Sequence, residues 1–135
     1  MAIFLSNDVQ VTLNAVDLTD HVTSASISRV FDELEVTAMG DTSHVFVKGL
    51  EASTITLDFL NDTATTNVLQ TLQAAWGTTV ALTLKQTSAA TSATNPLYST
   101  TVLINNTTDI NGAVGDISTQ SITFTCNSPI VITTS

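Results

Sequence analysis

A short run of strictly alternating polar and apolar side chains constrains the fold more than any other feature. In residues 54–59, TITLDF, Ile55, Leu57 and Phe59 fall on one side of an extended chain, while Asp58 and the two threonines fall on the other. This period of two is the signature of a β-strand with one buried face. The sequence therefore predicts a sheet that covers an apolar core.

Similar alternation recurs along the chain, so the predicted fold is mainly β. Further strands are predicted at residues 9–13, 22–31, 78–85, 97–104 and 117–126, with a short edge strand at 130–132. In the second of these, Phe31 is predicted to share a buried face with Ile27. Many short strands separated by turns are typical of a β-sandwich or barrel. A chain of 135 residues is expected to form one domain, spanning residues 1–135.

Two dipeptides predict turns between strands. Asn14-Ala15 lies between apolar runs near the N-terminus, and Asn tolerates the left-handed conformation of a tight hairpin turn. Asn111-Gly112 is a stronger signal for a type I′ turn, inside the connection of residues 105–116.

Residues 32–49 behave differently from the strands around them. The segment opens with acidic residues, turns at Met39-Gly40-Asp41 and returns through an apolar run to Gly49. Loops beyond about 12–15 residues are usually functional or disordered, and this one is too apolar for a disordered linker. We predict an arm, a long hairpin or ordered loop that projects from the β core and is covered by another subunit. Its predicted interface residues are Val36, Met39, His44, Val45, Phe46 and Val47.

Residues 62–76 change to a helical period and predict the single helix. Asp62 or Thr63 is a suitable N-cap, and Gly77 stands where helices commonly stop. The apolar residues of this segment fall on one face, which is expected to pack against the sheet. The predicted core at this contact consists of Leu57, Phe59, Leu72, Trp76, Leu82 and Phe124.

The charge balance excludes several classes of function. Hydrophobic residues make up 43% of the chain, enough for a packed core, but only 11% of the residues are charged. The net charge is −9, and the only cations are Arg29, Lys48 and Lys85. Tight binding to nucleic acid or to an anionic membrane needs clusters of Lys and Arg, so neither is expected. No signal peptide or membrane-spanning run is predicted, and the lone Cys126 has no intrachain partner for a disulfide.

The sequence contains no pattern that indicates catalysis, a metal or a cofactor. His21 and His44 lie far apart, without the spacing of a zinc site, and the acidic run that begins at Asp32 lacks the calcium-loop pattern. No GxSxG elbow or glycine-rich phosphate loop occurs. Cys126 is predicted on an inward strand face, where a thiol is normally inert. We therefore expect a protein that is not an enzyme.

The chain resembles the tail tube proteins, or major tail proteins, of long-tailed bacteriophages. The resemblance covers nearly the whole chain. It rests on the N-terminal hairpin (VQVTLNAVDLTDHV), the arm (FDELEVTAMGDTSHVFVKGLEASTITLDF), the following helix, and the later Thr-rich strands with the SAATSATNP loop. It is a similarity of overall pattern rather than of one motif. Ala15, where relatives often have Gly, is a small departure.

The resemblance implies a structural virion protein with two packed antiparallel sheets, one flanking α-helix and a long projecting loop or hairpin. Such proteins form hexameric rings that stack into a tube, and the arm of residues 32–49 would reach the neighbouring ring. The implied partners are further copies of the chain and other tail proteins at the tube ends. DNA would pass through an acidic lumen without specific binding, and Asp58 is the candidate lumen residue. Assembly would take place in the bacterial host cytoplasm, and the final location would be the phage tail.

Two alternatives remain open from the sequence. One is the inner tube of a contractile injection system, which is also a stack of rings. The other is a monomeric β-sandwich that binds a ligand or decorates a virion. Only Trp76 and Tyr98 offer surfaces on which a sugar could stack, and Trp76 is predicted to be buried in the core.

Overall fold

The chain folds mainly into β-strands, as the alternating patterns predict, with 46% of residues in strands and 8% in helix. A computed structural model describes residues 8–64 and 67–135. In chain order the strands are β1 (Gln10–Leu13), β2 (Val16–Asp17), β3 (Val22–Ser28), β4 (Phe31–Glu35), β5 (Phe46–Glu51), β6 (Thr54–Leu60), β7 (Thr79–Lys85), β8 (Leu97–Leu103), β9 (Thr119–Cys126) and β10 (Val131–Thr133). A 3₁₀ turn spans Thr19–His21, and the α-helix α1 spans Val68–Ala74.

Eight strands form one antiparallel sheet in the order β2-β1-β7-β8-β9-β6-β3, with β10 paired to β8. The contact between β8 and β9 is short, limited to Val102 opposite Cys126 and Leu103 opposite Thr125. At its other end, β8 pairs with β10 instead. The sheet therefore has two halves, β2-β1-β7-β8-β10 and β9-β6-β3, joined at one corner.

The two halves bury their apolar faces in one common core. Leu13 and Leu82 from one half lie in the same buried cluster as Leu57, Phe59 and Phe124 from the other. The alternation in β6 is complete, since each of its apolar inward residues is buried while its polar neighbours are partly exposed. The predicted β-sandwich thus takes the form of one large sheet folded over a single core, with a small second sheet made by β4 and β5.

The first hairpin has the predicted turn. Leu13 pairs with Val16 on either side of a two-residue loop. Asn14 and Ala15 both have positive φ, 51° and 65°, which is the signature of a type I′ turn. An alanine in this conformation is strained, because its Cβ approaches the backbone, which explains the preference for glycine at such positions.

The strand predicted at residues 22–31 is divided in two. β3 ends at Ser28, and the chain leaves the large sheet before β4 begins at Phe31. The Val30 N–H is donated to the hydroxyl of Ser53, not to a neighbouring strand of the large sheet. Phe31 consequently does not share the inward face of Ile27, and 47% of its surface is exposed.

The helix is shorter than the predicted 62–76 and begins at Val68. Residues 65–66 of the predicted span lie outside the described residues. Asp62 does not cap the helix, because its side chain accepts hydrogen bonds from the Ala64 N–H and the Asn67 side-chain amide, which stabilise the preceding turn. Of the predicted apolar face, Val68, Leu69, Leu72 and Ala75 are buried as expected.

Trp76 is the one predicted core residue that the structure places outside the core. The other five are buried, but 55% of the Trp76 surface is exposed. The helix ends at Ala74, and Gly77 adopts a positive φ of 77°, so the chain turns at this point. Trp76 therefore no longer follows the helical period that would place it beside Leu72.

The predicted turn at Asn111-Gly112 is also wrong. Neither residue has a positive φ, and the left-handed residue of this connection is Gly115, with a φ of 87°. The Asn111 side-chain amide donates to the Thr119 carbonyl at 2.6 Å, which fastens the loop to the start of β9. The strand predicted from residue 117 accordingly begins at Thr119.

Alanine substitutions at Phe59 and Trp76 should have very different effects on the free energy of unfolding. Phe59→Ala leaves a cavity in the core and is expected to cost about 3–5 kcal/mol. Trp76→Ala removes a half-exposed side chain and should cost about 1 kcal/mol or less. Urea denaturation of both variants gives the comparison, and equal losses would contradict the exposed position of Trp76.

Candidate assembly interface

The arm is a two-stranded antiparallel hairpin that stands apart from the large sheet. β4 and β5 hydrogen-bond to each other and to no other strand of the described chain. Leu34 lies opposite Val47, and Glu35 lies opposite Phe46. The Val36 N–H donates to the Val45 carbonyl at 2.8 Å, which continues the ladder beyond the assigned strands.

One face of the arm is apolar and open to solvent. Because side chains alternate along a strand and opposite residues share a face, Leu34, Val36, Val45 and Val47 project together. Each has 40–52% of its surface exposed. We call these four residues the apolar arm face. A contiguous apolar surface of this kind on a soluble protein commonly marks an interaction site.

The opposite face of the arm mixes aromatic and charged residues. The Lys48 ammonium lies 5.7 Å from the centre of the Phe31 ring, within range of a cation–π contact. The His44 and Phe46 rings lie 6.4 Å apart, and His44 also contacts the Glu35 carboxylate. The charged and aromatic side chains of this face therefore contact one another within the arm.

The six predicted interface residues all lie in the arm, but not on one surface. Val36, Val45 and Val47 share the apolar arm face, whereas His44 and Phe46 lie on the opposite face. Met39 lies in the tip and is fully exposed.

Sequence reasoning missed three exposed apolar residues of β4 and β5, one of which is Phe31. Leu34 is 52% exposed and Leu50 is 81% exposed. Leu34 and Val36 alternate with Glu33 and Glu35, and this period of two could have placed Leu34 on the same face as Val36. Leu50 lies beside a β-bulge, which no local pattern predicted.

The root of the arm is fixed to the large sheet by a small hydrogen-bonded cluster. Ser53 is almost fully buried; its hydroxyl donates to Glu51 at 2.9 Å and accepts the Val30 N–H at 3.3 Å. The same Glu51 carboxylate accepts the Ile130 N–H at 2.9 Å. The Ile130 and Ser53 bonds hold the pKa of Glu51 below its ordinary value. Both strands of the arm thus leave the large sheet from defined positions.

Gly49 is required by close packing inside the arm. The register between β4 and β5 shifts between Phe31 and Glu33, where β5 contains an extra residue. A Cβ at position 49 would lie 2.8 Å from the Asp32 carbonyl oxygen and 3.2 Å from Leu34 Cγ. A side chain here would therefore push the two strands apart.

Gly49→Ala should disrupt the arm and leave the core intact. We expect faster amide hydrogen exchange in β4 and β5, with little change in the exchange of β6 and β9. Gly112→Ala is the matched control, because a Cβ at position 112 meets no atom within 4 Å and its φ is not positive. Equal exchange rates in the arms of the wild type and Gly49→Ala would contradict the close approach.

The arm also contains a pH-sensitive contact. The Glu35 carboxylate is hydrogen-bonded to His44 and to the Thr37 hydroxyl, and these bonds lower the pKa of Glu35. A carboxyl group whose pKa is lowered by folding contributes stability above its unfolded pKa and loses that contribution as the pH falls through its folded pKa.

Acidification below about pH 4.3 should therefore loosen the outer part of the arm before the core unfolds. His44→Ala should move the pKa of Glu35 back towards the ordinary glutamate value. Carbon-13 NMR titration of the Glu35 carboxyl group measures both effects. The same titration curve in the wild type and in His44→Ala would show that the contact does not stabilise the ionised form.

A second surface, which we call the hydroxyl face, covers the outer side of β3, β6 and β9. The strand register places three rows of side chains across it: Ser24, Asp58 and Ser121; Ser26, Thr56 and Thr123; and Ser28, Thr54 and Thr125. The hydroxyls of Thr56 and Thr123 lie 3.1 Å apart. Asp58, the predicted lumen residue, is in the central strand and is the only charged residue of these rows.

No clustered chemistry accompanies these surfaces in the described part of the chain. Among residues 8–64 and 67–135, no group of three or more His, Cys, Asp or Glu is arranged to hold a metal ion. His21 and Asp62 form a pair at 2.9 Å that joins the 3₁₀ turn to the segment before the helix. Burial raises the pKa of the half-buried Cys126 thiol. Within the same residues, no helix has the length and apolar character needed to cross a bilayer.

No protein-family model matches the chain, and a search of curated proteins finds no match either.

Proposed function

We propose that the protein is a structural subunit that self-assembles into the stacked rings of a phage tail tube, a conduit for genome ejection. The observation that carries this proposal is the apolar arm face, which the described part of the chain leaves about half exposed. Leu34, Val36, Val45 and Val47 project from a hairpin that hydrogen-bonds to no other strand of residues 8–64 and 67–135, and each is 40–52% exposed. Contact between this face and a neighbouring subunit would explain why its residues are apolar.

The energetics of the arm favour a covered state. Fully burying one large aliphatic side chain contributes about 1.5–3 kcal/mol, so covering the exposed half of several such residues contributes several kcal/mol. An isolated two-stranded hairpin is marginally stable in water because it has little core of its own. Contact with a second copy would therefore stabilise both the arm and the assembly.

The hydroxyl face supports the second half of the proposal, passage of DNA. A wall to which DNA does not adhere must lack the cations that neutralise phosphates. The hydroxyl face contains serines, threonines and Asp58 but none of the three cations of the chain. The hydroxyl face therefore fits a lumen wall in which Asp58 repels phosphate and the surrounding hydroxyl groups are neutral.

Substitutions on the apolar arm face should abolish assembly without unfolding the subunit. In the variant Val36→Thr, Val45→Thr and Val47→Thr, the β-branched shape favoured in strands remains, but the apolar surface is reduced. We expect the wild type to form rings or tubes in negative-stain microscopy and native mass measurement. We expect the variant to remain a folded subunit.

The matched control is the triple variant Ile110→Thr, Val114→Thr and Ile117→Thr. These residues are at least as exposed as the valines of the arm but lie in the loop before β9. Loss of assembly in this control, with normal tubes from the arm variant, would overturn the role of the arm. A density map of wild-type tubes provides a second check, because an inner wall lined by Arg29 or Lys85 would contradict the proposed lumen.

One observation favours a second candidate function, a monomeric binding module. Trp76 is exposed in a shallow pocket with Gln73, Thr107 and Asp109, and an exposed indole beside polar groups is a suitable surface for stacking a sugar ring. A wild type that stays monomeric at high concentration, and that loses glycan binding in Trp76→Ala, would support this function instead.

A further inference from the structure

The loop of residues 105–118 contains an Asn-Gly pair whose glycine has no structural role in the fold. The turn predicted at Asn111-Gly112 does not form, and the φ of Gly112 is not positive. A Cβ at position 112 would meet no atom within 4 Å, so close packing does not require a glycine either. Both residues of the pair are exposed and lie outside regular secondary structure.

An asparagine followed by glycine can react with its own backbone, because glycine has no side chain to hinder the following amide nitrogen. Among residues 8–64 and 67–135, the Gly112 N–H donates no hydrogen bond, so solvent base can reach it. Every other asparagine of the chain is followed by a residue that has a side chain. The pair at 111–112 is therefore the position in this sequence best suited to the reaction.

The side-chain amide of Asn111 attaches the middle of the loop to β9. Its Nδ2 donates to the Thr119 carbonyl at 2.6 Å. The two ends of the loop have separate attachments. The Thr108 N–H donates to the side-chain oxygen of Gln120 at 3.0 Å, and the Ser118 carbonyl accepts a backbone N–H at 3.0 Å from the residue that follows β6. Loss of the Asn111 bond would therefore free the middle of the loop and leave its ends held.

We propose that Asn111-Gly112 is a self-modification site, at which deamidation releases the middle of the loop from β9. The Gly112 nitrogen loses its proton to solvent base and bonds to the side-chain carbonyl carbon of Asn111, and the side-chain nitrogen leaves as ammonia. One water then opens the cyclic imide at either of its two C–N bonds, which yields aspartate or isoaspartate. Overall, one amide and one water become one carboxylic acid and one ammonia.

The reaction removes the attachment itself, because the nitrogen that leaves is the atom that donates to Thr119. An ionised carboxylate has no donor, so its oxygens would repel the Thr119 carbonyl oxygen. Residues 105–118 already contain Asp109 and Asp116 and no cation, so the new charge has no opposite charge within the loop. The release is irreversible, and it needs only the folded subunit, so it does not depend on the proposed function.

Peptide mapping of the full chain after incubation in mildly alkaline buffer tests the chemistry. Mass spectrometry follows the conversion of each asparagine, and labelling by a protein isoaspartate methyltransferase detects isoaspartate. We expect Asn111 to be converted before any other asparagine, at a rate that rises with pH because the Gly112 nitrogen must lose a proton. Earlier conversion of another asparagine, with Asn111 intact, would overturn the proposal.

Gly112→Ala is the matched control for the chemistry. The added methyl group fits the open space at position 112 and leaves the bond from Asn111 to Thr119 in place. It hinders attack by the backbone nitrogen, so we expect conversion of Asn111 to be slower by about tenfold or more. Equal rates in the wild type and in Gly112→Ala would show that the backbone nitrogen is not the attacking atom.

Nitrogen-15 NMR relaxation tests the release of the loop. Asn111→Asp imitates one product, and Asn106→Asp adds the same charge to the same loop. The Asn106 side-chain amide donates to the adjacent Asn105 side chain at 2.8 Å and not to β9, so this variant keeps the attachment. We expect lower backbone order parameters for residues 109–117 in Asn111→Asp, and wild-type values in Asn106→Asp. Unchanged order in Asn111→Asp, or an equal loss in both variants, would overturn the release.

Discussion

The organising constraint on this protein is that a two-stranded hairpin has no interior. The strands β1, β6, β7, β8 and β9 of the large sheet all contribute buried apolar side chains, because the sheet folds over a single core. β4 and β5 have no such opposite half, so Leu34 and the valines opposite and beside it stay exposed. The arm is thus a regular hairpin of the described chain whose apolar face is not covered by the large sheet.

The strands, the first hairpin and the existence of the arm could be predicted from sequence because their signals are local. β6 alternates without interruption, and Asn14 begins a two-residue loop between alternating runs. The arm was recognisable because an apolar segment of that length fits neither a strand nor a linker. In these cases the local pattern and the tertiary structure agree.

The errors arose where a hydrogen bond to another segment or a local turn overrode the side-chain period. Phe31 continues the period of β3, but the Val30 hydrogen bond to Ser53 ends that strand early. Trp76 continues the period of the helix, but the left-handed Gly77 turns the chain. Asn111 and Gly112 match the pattern of a type I′ turn, but the Asn111 side-chain amide donates a hydrogen bond to the Thr119 carbonyl instead. The position of Arg29 and Lys85 in the lining of one pocket could not be predicted either, because they are far apart in sequence and only the folded sheet places both there.

The cluster at the root of the arm has a mechanical consequence. Glu51 ends β5, and its carboxylate holds the Ile130 N–H immediately before β10, while Ser53 holds the backbone of Val30 at the start of the other arm strand. A force applied to the arm reaches β3 and β6 through the backbone, and the hydrogen bond of Glu51 also connects it to β10, which pairs with β8 in the other half of the sheet. The cluster therefore attaches the arm to both halves of the fold, in addition to its direct backbone connection to the edge strand β3.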